Sequence, residues 1–320
     1  MTGVPTTSTT GDPSDADLLQ IELGVIWRLD EQGRLPGPES MVIGVAADGL
    51  IAAVSHTLPT PLAQTLLTLA TTPTPRPPGK AASETALVTP PGTAPGATPG
   101  AASETVPETA SGAASGTAVG SASTTVSGAA TDTTHGMTTS TRASTRASRT
   151  ASGAASGAMP GALEACRALL GGDSVTVSGG PSYLVTPPVR YDAPVDMLRS
   201  DEPAHTALVH PLRAEGWDPD EWDELVGGGE GAPWAMIVEN GEVAALCHTA
   251  RLTPAGAEAG TWTSPACRGR GYAAAATAVW AGMLPGIRLF YSTSADNHSS
   301  QRVARRLGLR PLGWFWKLTA

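Results

Sequence analysis

The residues best suited to chemistry lie in the last third of the chain, in the run Ser264-Pro265-Ala266-Cys267-Arg268-Gly269-Arg270-Gly271-Tyr272-Ala273. Glycines at 269 and 271 let the backbone come close to a ligand, and the first amides of a helix starting at Tyr272 have no carbonyl partner within it. With the positive end of the helix dipole behind them, those amides suit a pyrophosphate. The loop is not a P-loop, since no Lys-Ser/Thr pair follows, and it lacks the G-x-G-x-x-G spacing of dinucleotide-binding folds. Taken alone, such a loop is equally an ordinary tight connection with exposed arginines, so the elements around it must decide.

Those elements come in a definite order. Val195–Leu198 reads as a strand, and Ser200 with Pro203 opens a helix carrying Ala204, Leu208 and Leu212. Asp218 then supplies an N-cap with Pro219 at the first helical position, and Asp220, Glu221, Asp223 and Glu224 follow. Trp234–Glu239 and Glu242–Thr249 are apolar strands joined by Asn240-Gly241, the favoured pair for a two-residue type I′ hairpin. Ala257–Thr263 is a third strand and runs straight into the glycine loop. The alanine-rich helix Tyr272–Met283 buries Ala276, Val279, Trp280 and Met283 at helical spacing. A strand at Ile287–Thr293, a helix at Ser299–Leu307 that stops at Gly308, and a strand at Trp314–Leu318 complete the chain.

With the motifs in this order, the C-terminal part resembles the GNAT superfamily of acetyl-CoA-dependent N-acetyltransferases. Arg268, Gly271 and Ala273 fall on the fixed positions of its acetyl-CoA loop, R/Q-x-x-G-x-G/A. Asn297-x-x-Ser300-x-x-Val303-Ala304-x-x-x-Gly308 is similar to its second cofactor motif. The run YSTSADNHSSQRVARRLG is also similar to two-domain bacterial members, whose catalytic domain follows a less characterised N-terminal segment.

The resemblance implies an α/β (α+β) fold: a mixed, mostly antiparallel sheet flanked by helices, with the strands before and after the loop-helix unit splayed to admit the pantetheine arm. Acetyl-CoA is then the co-substrate. Thr261, Trp262 and Thr263 would present the strand edge to it, and the amides of Arg268, Gly269, Arg270, Gly271, Tyr272 and Ala273 would hold its pyrophosphate. Asn297 and Ser300 would flank it on the other side. A neutral primary amine on a small molecule or peptide would attack the thioester directly in a ternary complex, with backbone amides stabilising the oxyanion. Such an amine titrates near 10, so a base must take its proton. Glu258 is the candidate, although it could equally alternate outward on a half-exposed strand. Ala304 stands where many relatives carry a tyrosine as general acid, and Tyr291, His298, Ser299 and Ser300 are the nearby replacements. The missing tyrosine keeps a second reading open, a non-catalytic acyl-CoA-binding sensor. A scaffold with an interaction arm is a third.

The remainder carries no chemistry that the sequence reveals. Residues 1–14 read as a disordered tail. Residues 15–70 and 161–187 read as a small N-terminal α/β domain: a helix at DADLLQIEL, then GVIWRLDEQGRL, MVIGVA and LIAAVS as strands, a helix at Pro61–Ala70, another at Gly161–Leu170 and a strand at Ser174–Val177. Residues 71–160, nearly all Thr, Ser, Ala, Gly and Pro, lack the apolar surface to offset backbone ordering at roughly 1–2 kcal/mol per residue, and read as a disordered insert. Residues 188–320 would be the acetyltransferase domain. A formal charge of −9 lacks the basic footprint of a nucleic-acid binder. Three cysteines without C-x-x-C spacing, no apolar span and six scattered histidines predict a cytoplasmic protein, no membrane association and no metal.

Overall fold

The computed structural model describes residues 12–72, 161–191, 195–214 and 216–320. Residues 1–11 of the expected tail and nearly all of the expected insert lie outside the described residues, while Ser14, counted with the tail, caps the first helix. The first element, α1 (Asp15–Trp27), starts with a capping box: the Ser14 hydroxyl accepts from the Asp17 N–H, and the Asp17 carboxylate accepts from the Ser14 N–H. It runs four residues beyond the helix expected from the sequence, so Gly24-Val25-Ile26-Trp27 is not a strand. The apolar stripe Leu18, Leu19, Leu23 and Val25 continues through Gly24 and is buried along its length. Burial of that face outweighs the roughly 1 kcal/mol cost of a helical glycine.

Strands β1 (Met41–Ala46) and β2 (Leu50–Val54) form the expected hairpin. Helices α2 (Thr60–Thr71) and α3 (Gly161–Leu170) cover it by packing Leu66, Leu163 and Cys166 against Met41, Ile43 and Leu318. The strand that follows, β3 (Thr176–Val185), is much longer than Ser174–Val177. The strand continues through Gly179-Gly180-Pro181, where the glycines admit another segment. A Cβ on Gly180 would collide with the carbonyl of Thr293, and the N–H of Ala295 donates to Gly179 O at 2.8 Å.

The rest follows the expected order: β4 (Leu198–Arg199), α4 (Pro203–Val209), α5 (Pro219–Val226), β5 (Trp234–Glu239), β6 (Glu242–Thr253), β7 (Gly256–Thr263), α6 (Tyr272–Gly282), β8 (Leu289–Ser292), α7 (His298–Arg306) and β9 (Arg310–Thr319). Asn240 and Gly241 both have positive φ, as a type I′ turn requires. One nine-stranded sheet results, in the order β2-β1-β9-β3-β8-β7-β6-β5-β4. Because β3 lies between β8 and β9, residues before the boundary expected at 187 supply a central strand, and the sheet continues across that boundary without a break.

Two faces matter for the site. On one, α6 and α7 bury Trp280, Ala276 and Ala304 against Cys247, Ala257, Ala259, Leu289 and Tyr291. On the other, α1 packs on Phe290 and Phe315, while α5 packs Trp222 and Leu225 on Trp234, Met236 and Leu246. Every strand pairing is antiparallel except β7–β8, which is parallel and holds for only two residue pairs, Ala257↔Leu289 and Glu258↔Phe290. Beyond them the two strands part.

Candidate active site

At the far end of β7, the loop leading to α6 is held by its side chains and leaves its amides unengaged. Gly269 and Gly271 have φ of 82° and 89°, and Gly271 is the N-cap of α6 with no side-chain cap. Among the described residues, no bond is made by the N–H groups of residues 269–274, whereas those of Cys267 and Arg268 turn back to Ser264 and Pro265. Glu239, at the end of β5, accepts from Arg270 Nη1 at 2.7 Å and from Tyr272 Oη at 2.8 Å. The side chains of Arg270 and Tyr272 therefore brace the loop, while their amides remain open. The Tyr191 hydroxyl and the Arg306 guanidinium crowd Gly271: a Cβ there would collide with the first and come within 2.9 Å of Arg306 Nη1. A side chain there must displace the ends of Tyr191 and Arg306 and adopt positive φ, and the Arg306 cation of α7 lies beside the start of α6. Unengaged amides beside a guanidinium offer only donors and positive charge, which can hold an anion.

At the other end of the splay sits Glu258. The next N–H of β8 that could face β7, that of Ser292, is met by the Glu258 side chain instead: Oε1 accepts from Ser292 N and from Ser292 Oγ, both at 2.7 Å. The carboxyl thus closes the vertex of the V. It is buried, its Oε2 has no partner, and burial pushes its pKa up to about 7 against the pull of the Ser292 bonds and of Arg251. Of the two readings of Glu258, the outward-facing one is excluded.

Tyr291 lies on the opposite face of the same splay. Its hydroxyl is 3.5 Å from Thr261 Oγ1 and interacts with Ser300 on the first turn of α7. Burial raises its pKa to about 12, so the phenol stays protonated and can donate. Asn297 caps α7, its Oδ1 accepting from Ser300 N at 3.0 Å. Trp262 packs half-buried on the α5 cluster, while Thr261 and Thr263 flank it on the strand. Ala304 is fully buried in the core under α7. Of the acids of α5, Asp218 caps the helix and Asp223 faces His210 at 3.6 Å.

Three participants in this region are not among the residues singled out from the sequence. Glu22, from α1, is fully buried and receives the Ser182 hydroxyl. His248 lies across Gly260, its Nδ1 without a partner, and burial together with Arg251 depresses it to about 4. Arg306 stands over Gly271. Glu22 alone left a trace, as the single charged residue within the apolar stripe Leu18, Leu19, Leu23 and Val25. Among the described residues, no group of three or more His, Cys, Asp or Glu could hold a metal, and no helix is long and apolar enough to cross a membrane.

The geometry of a splayed parallel pair leading to an uncapped, glycine-started helix agrees with a family match. Residues 187–310 match the family described as Acetyltransferase (GNAT) domain, and this part of the chain is a GNAT acetyltransferase domain. Among solved structures, a GNAT-family protein from Novosphingobium aromaticivorans shares 25% identity over 46% of this chain and 67% of its own, at a TM-score of 0.33. An acetyltransferase of that family from Colwellia psychrerythraea shares 16% over 46% and 57%, at 0.33. An N-acetyltransferase-like protein from Streptococcus suis shares 17% over 49% and 68%, at 0.35. The chain thus spans between about half and two thirds of these proteins, and the assignment rests on the family match rather than on them. Comparison with curated proteins gave no match.

Proposed function

We propose that the protein transfers the acetyl group of acetyl-CoA to a primary amine in a ternary complex. The observation that carries this reading is the set of unengaged N–H groups at residues 269–274, at the open end of the β7–β8 splay, with Arg306 beside them. In this reading the pyrophosphate binds those amides, Thr261 to Thr263 flank the pantetheine, and the thioester lies in the V between Glu258 and Tyr291.

Each step has a group to serve it. Glu258, titrating near 7, takes a proton from the ammonium form of the acceptor. The freed lone pair forms the N–C bond and the C–S bond breaks; the thiolate takes a proton from the Tyr291 hydroxyl, and the second proton of the acetylated nitrogen restores the phenol, leaving neutral amide and free thiol. Base and acid sit on opposite faces of the splay: Glu258 with Phe290 on the α1 side, Tyr291 with Leu289 on the α6 side. An amine arriving from the α1 and α5 face therefore meets a thioester held from the α6 and α7 face.

The full-length protein, incubated with acetyl-CoA and a panel of amines while free thiol is followed, tests the reading. Thiol release that depends on the amine is the expected result. A second reading, a non-catalytic acyl-CoA sensor, draws on Ala304, whose buried methyl replaces a proton donor with core. Binding of acetyl-CoA without thiol release by any amine would establish that sensor instead.

A further inference from the structure

The buried carboxyl of Glu22 has no role in the chemistry described so far, yet it reaches the same vertex. Ser182 on β3 and Ser292 on β8 are direct partners across an antiparallel pair. Facing residues of such a pair have Cα atoms about 4.5–5.5 Å apart and point to the same side of the sheet. Each serine hydroxyl donates to a different glutamate: Ser182 to Glu22 Oε2, and Ser292 to Glu258 Oε1. The two serines therefore set the two carboxyls side by side beneath α1. The remaining oxygens, Glu22 Oε1 and Glu258 Oε2, are both buried and both without a partner. Two such acceptors next to each other are costly as a dianion, and a single proton between them satisfies both.

We propose that Glu22 is a positioning residue for Glu258: the two carboxyls hold one proton between them, and neutral Glu22 donates it to the Glu258 carboxylate at the vertex of the splay. The N-terminal helix thereby completes the site. The proposal rests on the reading of Glu258 as the base only for its catalytic consequence; the shared proton stands independently of turnover.

The surroundings favour this order of ionisation. Among the described residues no cation acts on Glu22, which is raised by burial first and by Glu258 second, against the single Ser182 bond. Glu258 has two bonds from Ser292 and the nearby Arg251 of β6, all of which favour its anion. Arg251 in turn feels Arg28 at the end of α1 and Glu230 before β5, which pair at 3.7 Å at the surface. His248, held neutral, adds no charge from β6. Cys247 and Tyr291, on the opposite face, are raised chiefly by burial and, to a smaller degree, by Glu258, and remain neutral as well. In this proposal the first negative charge on the pair belongs to Glu258, and Glu22 keeps the proton.

Three variants of the full chain, carrying carboxyl-labelled glutamate and followed by NMR titration, test this. Glu22→Gln keeps a donor at the position, so Glu258 should still titrate near neutrality, within about half a unit of wild type. Glu22→Leu removes the donor, and Glu258 should titrate at least about one unit higher, the scale of a lost partner to a buried carboxylate. Glu258→Gln should lower the midpoint of Glu22, because the neighbouring charge is gone. This third variant keeps the proposal testable should Glu22→Leu fail to fold. Equal Glu258 midpoints in the Gln and Leu variants, or an unmoved Glu22 midpoint in Glu258→Gln, overturns the shared proton. Where the protein turns over, the acid limb of the pH–rate profile should follow Glu258, unchanged in Glu22→Gln and displaced upward in Glu22→Leu. Titrations that behave as expected beside a rate profile that ignores them would uphold the pair and reject Glu258 as the base.

Discussion

Glu239 and Arg270 face each other at 2.7 Å, one at the end of β5 and the other in the loop before α6, and the same carboxylate receives the Tyr272 hydroxyl at 2.8 Å. The loop is thus fixed by side chains, while its amides stay unengaged. Glu239→Gln removes the charge that holds both partners, so the loop must be ordered when the ligand binds. Affinity for acetyl-CoA should fall about 2–10-fold, the scale of one or two side chains immobilised on binding. Calorimetric titration checks this, and an unchanged affinity would mean the loop is held by its backbone alone.

Gly269 and Gly271 separate backbone strain from crowding. Both have positive φ, where alanine costs roughly 1–2 kcal/mol. A methyl at 269 meets nothing within 4 Å, whereas at 271 it meets Tyr191 and Arg306. Both alanine variants should therefore lose stability of about that size in urea unfolding. Only Gly271→Ala should lose acetyl-CoA affinity by about tenfold or more, since displaced Arg306 and Tyr191 disturb the cradle. Equal losses of affinity in the two variants would remove Arg306 and Tyr191 from the site.

A buried hydrogen bond helps to join α6 to the sheet. Trp280 Nε1 donates to Thr249 Oγ1 at 3.0 Å, and Thr249 Oγ1 in turn donates to the carbonyl of Pro233 at 3.2 Å. Thr249→Val keeps the shape but strands the indole N–H in the core. The expected cost is about 1–3 kcal/mol by urea unfolding, with α6 shifted enough to weaken acetyl-CoA binding measurably.

The loop, the hairpin before it and the caps of α5 and α7 were legible in the sequence because each depends on local chemistry: positive φ at Asn240 and Gly241, an N-cap at Asp218, an uncapped helix start at Gly271. What was not legible depends on partners far along the chain. The continuation of β3 through Gly179 and Gly180 shows only once the backbone at 293–295 is laid against them. Glu22 is a lone charge within the apolar stripe of α1, and its partner is not visible until Ser182, 160 positions away, is placed opposite Ser292. Arg306 reads as a helix C-terminal cation, which it is by position, but its reach to Gly271 follows from how α7 packs beside α6. No local pattern records these meetings.

Glu258 gives stability a definite pH dependence. Its folded value of about 7 lies above the ordinary 4.5, so folding takes up a proton between those limits. The stabilising contribution is complete below about pH 4.5 and is lost as pH rises through about 7, amounting to roughly 3 kcal/mol at about 1.4 kcal/mol per unit. Glu22, raised in the same direction, continues the loss to higher pH. The unfolding free energy of wild type minus that of Glu258→Gln should therefore fall across this window and flatten above it. A difference that stays constant from pH 4.5 to 8 would show that Glu258 ionises normally in the folded protein.

Tyr291→Phe addresses the leaving group. The phenol is buried, stays protonated because burial holds it near 12, and lies 3.5 Å from Thr261 Oγ1 with Ser300 also in reach. Phenylalanine preserves the edge contact with Tyr183, whose ring centroid is 6.4 Å away, so the change removes a proton donor and little packing. A thiol leaving group titrates near 8.5 and departs tolerably unaided, which places the expected fall in kcat at about 10²-fold, the low end of what general acids contribute. The KM for acetyl-CoA should stay within about twofold, because a proton delivered only as the C–S bond breaks adds nothing to ground-state binding. An acetyl thioester of a more acidic thiol needs no such proton, and on it the variant should approach the wild-type rate. If the variant instead turns over acetyl-CoA as fast as wild type, Tyr291 is a packing residue, and the proton must come from Ser300 or from water.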